Sequence, residues 1–231
     1  MSGVSLEVEL HGFGCRVLGE GHGRALTALS ALVRDESLEA LLLQLYGAQL
    51  MPAQRPVLVS QWAKYLFGLL ITPVLVAILT RDWHWPLRLD QLAIAVDERG
   101  LPDGLLFVEA GSRRVTNADE PLQAFDALLD DLLTPLITRL GVYGELPRAV
   151  LWSSAGEALD ACLRCLETSL AERGRPLLEQ ARRSDGRRNP LYRSVVYVPR
   201  YQRRACCLSH RVAWVGRCEH CPLPIEALAK L

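Results

Sequence analysis

The chain has 231 residues, half of them hydrophobic, with 26 basic and 26 acidic side chains. That length supports a sizeable core and lies between one large domain and two full ones. Zero formal net charge excludes a protein-wide polyelectrolyte binder, yet the charge is uneven: residues 181–231 hold eleven basic and three acidic side chains, leaving fifteen and twenty-three for residues 1–180.

The first residues, MSGVSLEVEL, carry neither a basic n-region nor an apolar h-region. The expectation is therefore a chain without a secretory leader, working in the cytoplasm, where disulfides are rare. Residues 4–23 read as a strand with turns. Their GEGHG (residues 19–23) has the wrong glycine spacing for a dinucleotide loop. Two short amphipathic helices are expected next, over RALTALSALVRD and SLEALLLQLYG, with Ser37 capping the second and Glu39 in its first turn.

From Trp62 to Thr80 the chain is almost wholly apolar. Lys64 and Arg81 bracket sixteen uncharged residues, short of the roughly twenty that a spanning helix needs. A buried core helix is the first reading and membrane contact the alternative. Pro73 is expected to kink this helix or end its first half. Trp83, His84 and Trp85 then interrupt it, as loop packing or as the floor of a ligand site. Leu92–Ala110 reads as a β-hairpin, with turn residues Gly100, Pro102 and Gly104 between two β-type runs.

A helix should follow, capped by Asn117 or Asp119 and ending at Gly141. Its apolar positions are Leu122, Phe125, Leu129, Leu132 and Leu136. Another is expected to start near Ser154, with Glu157 completing a capping box. It carries Cys162 and Cys165, which share a stripe with Leu159 and Leu166 and read as small buried hydrophobes rather than half a zinc site. Residues 183–190, RSDGRRNP, read as a linker or surface loop, Ser194–Val198 as a strand, and PLPIEALAKL as a closing helix. The expected fold is α+β: a mainly helical body with a β-hairpin over residues 1–190, and a small cysteine-rich segment over 191–231.

Four of the seven cysteines fall in CCLSHRVAWVGRCEHC, residues 206–221. Clustered thiols in a reducing compartment point to a metal or to redox work. A structural zinc site takes two well-spaced pairs. Cys218 and Cys221 suit it, but adjacent side chains such as Cys206 and Cys207 diverge in an extended backbone. His210 and His220 keep zinc open as substitute ligands. A [2Fe–2S] cluster shares four thiolates between two irons and so accepts a divergent vicinal pair. A dithiol switch of the Cys-x-x-Cys kind lacks its thioredoxin-like surroundings.

Cys-Cys-x10-Cys-x2-Cys at the end of a chain of this length resembles the siderophore-iron reductases, the FhuF-like ferric iron reductase family. The body, including LWSSAGEAL at Leu151–Leu159, is similar to a domain that family shares with siderophore synthetases. The resemblance implies a [2Fe–2S] cluster on Cys206, Cys207, Cys218 and Cys221. It implies one-electron reduction of a ferric siderophore, of hydroxamate type, with release of ferrous iron in the cytoplasm or at the inner face of the cytoplasmic membrane. No flavin or nicotinamide motif is present, so the electron is expected from an external donor, a ferredoxin or a reductase. Arg203, Arg204, Arg211 and Arg217 flank the ligands and are candidates to meet an acidic partner or an anionic siderophore. Trp214 lies between the cysteine pairs and would shield the cluster from water or pack beneath the loop. Two other functions compete: a zinc-stabilised binding module with a basic surface, and an iron–sulfur sensor or accessory without turnover. The absence of basic–aromatic interleaving speaks against nucleic acid.

Overall fold

The computed structural model describes residues 6–19, 21–114, 120–212 and 215–224. The N-terminal stretch is a helix, α1 (Leu6–Gly12), and not the expected strand. The alternating apolar residues of the sequence suggested a period of two. The spacing that decides is Leu6 to Leu10, one helical turn, which puts Leu10 into the core at 1% exposure. Beyond it, residues 16–18 run alongside Leu105, exchanging backbone bonds of 2.8 Å.

The first of the two expected amphipathic helices is cut short. Thr27–Ala28 form an edge strand, β1, and only Leu29–Leu32 are helical, as α2. The next helix, α3 (Asp35–Tyr46), begins before Ser37. Its start carries Asp35 and Glu36 in the first turn, where carboxylates favour the positive end of the helix dipole. Ser37 therefore lies inside the helix and caps nothing.

The apolar run becomes α4 (Arg55–Arg81), 27 residues and unbroken at Pro73, which is buried. Pro73 does not end it. Flanking turns and surrounding side chains hold the helix where one backbone bond is lost. By length and composition α4 could cross a membrane, but 67% of its most apolar window is buried within the protein. A helix apolar all round and covered on most sides is a core element. Trp62 is fully buried and its indole N–H reaches Gly100 O, 3.4 Å away, which ties α4 to the hairpin turn.

That hairpin forms as expected. After β2 (Trp83–His84) come β3 (Leu92–Val96) and β4 (Pro102–Phe107), antiparallel, with β1 on the other side of β3. The Asp97 carboxylate accepts the N–H groups of Arg99 and Leu101, both at 2.9 Å, and so closes the turn. β2 pairs with β5 (Ser112–Arg113). Trp85 stacks on Phe107 with centroids 3.9 Å apart, and Trp83 meets Trp85 edge-on. These aromatics pack the hairpin's end.

The candidate caps Asn117 and Asp119 lie outside the described residues. The apolar stripe from Leu122 to Leu136 is buried as expected, but not by one regular helix. A 3₁₀ turn (Gln123–Phe125) and a π-helical stretch (Leu128–Leu133) precede α5 (Thr134–Tyr143), which runs past Gly141 to Gly144. A Cβ on Gly144 would stand 2.2 Å from Leu146, so the chain turns there on a residue without a side chain.

The helix expected from Ser154 begins earlier, as α6 (Arg148–Cys165), and packs along α4. Short helices α7 (Thr168–Gly174) and α8 (Pro176–Glu179) follow. The expected linker is anchored instead. Arg183 is buried and forks between Asp126 at 2.5 Å and Asp130 at 2.7 and 2.8 Å. Asn189, also buried, donates to Leu177 O and Gln180 O. Finally β6 (Val195–Val196) pairs with β7 (Gln202–Arg203) against α6. Gly156 makes this close approach possible, because a Cβ there would stand 1.8 Å from Ser194 Oγ. The architecture is α+β: a helical body around α4, with three small antiparallel sheets among the described residues.

Candidate iron–sulfur site

The cysteine segment lies where the first half of α4 meets α6. Ser60 Oγ and Gln61 Nε2 both donate to Cys207 O at 2.9 Å. From α6, Ser153 Oγ accepts the Ala205 N–H at 3.2 Å. The two cysteine-bearing turns are joined to each other by Arg203 N–H donating to His220 O at 2.9 Å. Leu208 takes φ +66°, a left-handed conformation that a leucine adopts only under constraint. It turns the chain directly after the vicinal pair. In that turn the Leu208 N–H points at Cys206 Sγ, 3.3 Å away, and Ser209 Oγ lies 3.4 Å from Cys207 Sγ.

The four thiols meet in two pairs. Cys207 is in hydrogen-bond contact with Cys218, and Cys206 with Cys221. Each pair joins a buried sulfur to a half-exposed one: Cys207 and Cys221 are 0% and 2% exposed, whereas Cys206 and Cys218 reach the surface. The hydrogen bond from Cys218 holds the Cys207 thiol well below its ordinary value, against the effect of burial and with help from the Lys64 ammonium and Ser209. The same bond, with burial, pushes Cys218 upward. The bond thus favours the charged form of the buried Cys207 sulfur over that of Cys218. Such a thiolate is ready to bind metal.

This arrangement suits a dinuclear centre. Each vicinal cysteine meets a different cysteine of the second turn. Among the described residues, no three His, Cys, Asp or Glu side chains converge on a point that could hold one metal ion. His220, a substitute ligand in the zinc reading, is engaged elsewhere: its Nδ1 bonds Glu157 at 2.8 Å and its ring packs edge-on against Tyr201. His210 Nδ1 lies 3.5 Å from Cys206 Sγ. Four sulfurs brought together, with the Leu208 N–H on Cys206 and the Lys64 ammonium acting on Cys207, suit a [2Fe–2S] cluster.

Of the flanking arginines, two are structural. Arg203 has no exposed surface. It bonds Glu157 at 2.6 Å, Ser154 Oγ at 2.5 Å, Val150 O and Ala205 O. It cannot reach a partner, because its guanidinium is consumed in clamping the loop to α6. Arg217 is half-buried and donates to Leu223 O at 2.6 Å, bracing the second turn. Arg204 and Arg211 are exposed. Trp214 lies outside the described residues. Sequence reasoning missed Glu157, which holds both Arg203 and His220. Ser154 and Glu157 looked like a capping box, but both lie in the middle of α6.

The remaining cysteines are of another kind. Burial pushes the Cys162 thiol up to about 12 and that of Cys15 up to about 11. Cys165, expected on the buried stripe, is exposed, since it ends the last turn of α6. We expect Cys162→Ser to keep the visible spectrum of the protein unchanged while costing about 1–3 kcal/mol of stability, the penalty of a poorly partnered buried hydroxyl. Absorption and denaturant titration of the same sample check both halves.

A small α+β body presenting a loop of four paired cysteines defines a class of iron–sulfur protein. Residues 60–205 match the family described as ferric iron reductase FhuF-like transporter, and residues 203–223 match the FhuF 2Fe-2S C-terminal domain. The chain belongs to this family, and its C-terminal domain is of the [2Fe–2S] kind. It is 26% identical to the ferric siderophore reductase of Escherichia coli (strain K12) over 172 residues, 72% of this chain and 65% of that protein, so it spans less than two thirds of that relative. Its fold is similar to that of the aerobactin synthetase IucA from a hypervirulent pathotype of Klebsiella pneumoniae (TM-score 0.59, 14% identity, 75% of this chain and 38% of that one). The ATP-bound form of that synthetase gives a TM-score of 0.52 at 14% identity, with the same coverage of each chain.

Proposed function

We propose that this chain reduces ferric siderophores, of hydroxamate type, by one electron in the cytoplasm, drawing on an external one-electron donor. The observation that carries this reading is the pairing of four thiols in a loop that buries one sulfur of each pair and leaves the other at the surface. A [2Fe–2S] cluster, when bound, supplies one electron at a time. Cys206, Cys207, Cys218 and Cys221 would hold it.

The chain's own groups do the rest. Ser60 and Gln61 fix Cys207 through its carbonyl. Lys64 and the Leu208 N–H offset negative charge on sulfur, which makes an added electron easier to accept. The half-exposed Cys206 and Cys218 face solvent, where a chelate can approach without its iron leaving its oxygen ligands. Those hard oxygens grip Fe(III) and hold Fe(II) far less well, so one electron turns a sequestered ion into a releasable one. The family match and the ferric siderophore reductase relative support the reading.

Protein purified without oxygen and reduced with one equivalent of dithionite should recover its visible absorption on addition of a ferric tris-hydroxamate. Ferrous iron should appear in parallel, trapped by a ferrous-specific chelator. A reduced protein that stays bleached with every ferric siderophore tried contradicts the proposal.

A further inference from the structure

We propose that the cleft between α6 and residues 181–194 is the seat of the ferric chelate, and that it selects chelates carrying net negative charge. This rests on the reductase reading above. The cleft has a volume of about 570 Å³, within the range of small-molecule sites. Ala205, which directly precedes the half-exposed Cys206 in the chain, forms part of its wall.

Its chemistry is specific. Trp152 and Tyr192 give it flat aromatic faces, and Arg188 and Arg204 contribute two cations. No carboxylate is among its lining residues. Nearby arginines are committed to acids: Arg183 to Asp126 and Asp130, Arg187 to Asp185, Arg203 to Glu157. Arg188 and Arg204 are exposed and have no acidic partner among the described residues. The Arg204 guanidinium donates to Tyr192 O, at 3.3 Å, which holds it at the cleft. Ser194 also lines the cleft, with its Oγ packed against Gly156 of α6. Two guanidinium groups without acids, beside aromatic walls, suit a flat anion. Ferric catecholates qualify, and so do ferric hydroxamates that bear free carboxylates. A neutral tris-hydroxamate would gain only the aromatic contacts.

Gallium(III) chelates test this without electron transfer, because gallium(III) is not reduced and has nearly the charge and size of ferric iron. Calorimetric titration of the cluster-loaded chain at low salt should show an anionic gallium tris-catecholate binding about tenfold more tightly than a neutral gallium tris-hydroxamate, the factor expected of two partly exposed ion pairs. Arg188→Gln with Arg204→Gln should erase that difference. Trp152→Leu should weaken both ligands alike. Visible absorption certifies that each variant is loaded and folded. Equal binding of the two chelates, no binding of either, or a preference that survives the double arginine change would overturn the proposal. Gallium binding that follows these expectations, with no reduction of the ferric complexes, would leave the seat standing and remove the reductase reading. Reduction that ignores both arginines would do the reverse.

Discussion

Cys207→Ser is expected to strip the purified protein of its visible absorption, while Cys162→Ser leaves it. Cys207 is fully buried, and its thiolate is already favoured by the Cys218 hydrogen bond, Lys64 and Ser209. A serine hydroxyl at that place stays protonated near neutral pH and offers iron a harder, weaker donor. Loss of a residue that merely orients a ligand costs about 10–100-fold in metal affinity, and loss of the ligand itself should cost more. Iron and sulfide per chain should fall by at least about tenfold, with the far-ultraviolet spectrum kept. Retention of the full absorption in the Cys207 variant would remove it from the ligand set.

The second large effect concerns the clamp beneath the loop. Glu157→Ala would leave the Arg203 guanidinium, which has no exposed surface, without its carboxylate. An uncompensated buried charge costs roughly 3–5 kcal/mol. Arg203→Met should cost less, about 2–3 kcal/mol, because methionine refills part of the volume and Glu157 keeps His220 and some access to water. The double variant should lose less than the sum, since each single change strands the other partner. Denaturant titration of the loaded proteins reads these costs. Release of iron to a chelator should quicken in the same order, because Arg203 binds Ala205 O, next to Cys206, and its N–H joins β7 to His220. Equal stability of the Glu157 variant and the unaltered chain would remove this clamp from the account.

The sequence made legible what is encoded locally. The cysteine spacing is compact, and the preference for two irons over one came from the divergence of neighbouring side chains, which is a property of the backbone. The hairpin was marked by its turn residues, and α4 by sheer apolar length. What escaped depends on contacts far along the chain. Ser154 and Glu157 have the spacing of a helix start wherever they fall. Only Arg203, 46 residues later, assigns Glu157 its place. Arg183 looked like part of a solvated loop until Asp126 and Asp130 closed on it. Thr27 and Ala28 were expected in a helix and became a strand because β3 offered them an edge. Arg203 and Arg204 are neighbours with the same side chain, yet β7 turns one into the core and the other to the surface.

The central claim is that four paired thiols hold two irons. The most direct test is an absorption spectrum of the chain purified without oxygen, with iron, sulfide and zinc assayed on the same sample. The account predicts red-brown protein with about two irons and two sulfides per chain, bleached by dithionite. Colourless protein with a single zinc per chain would contradict it.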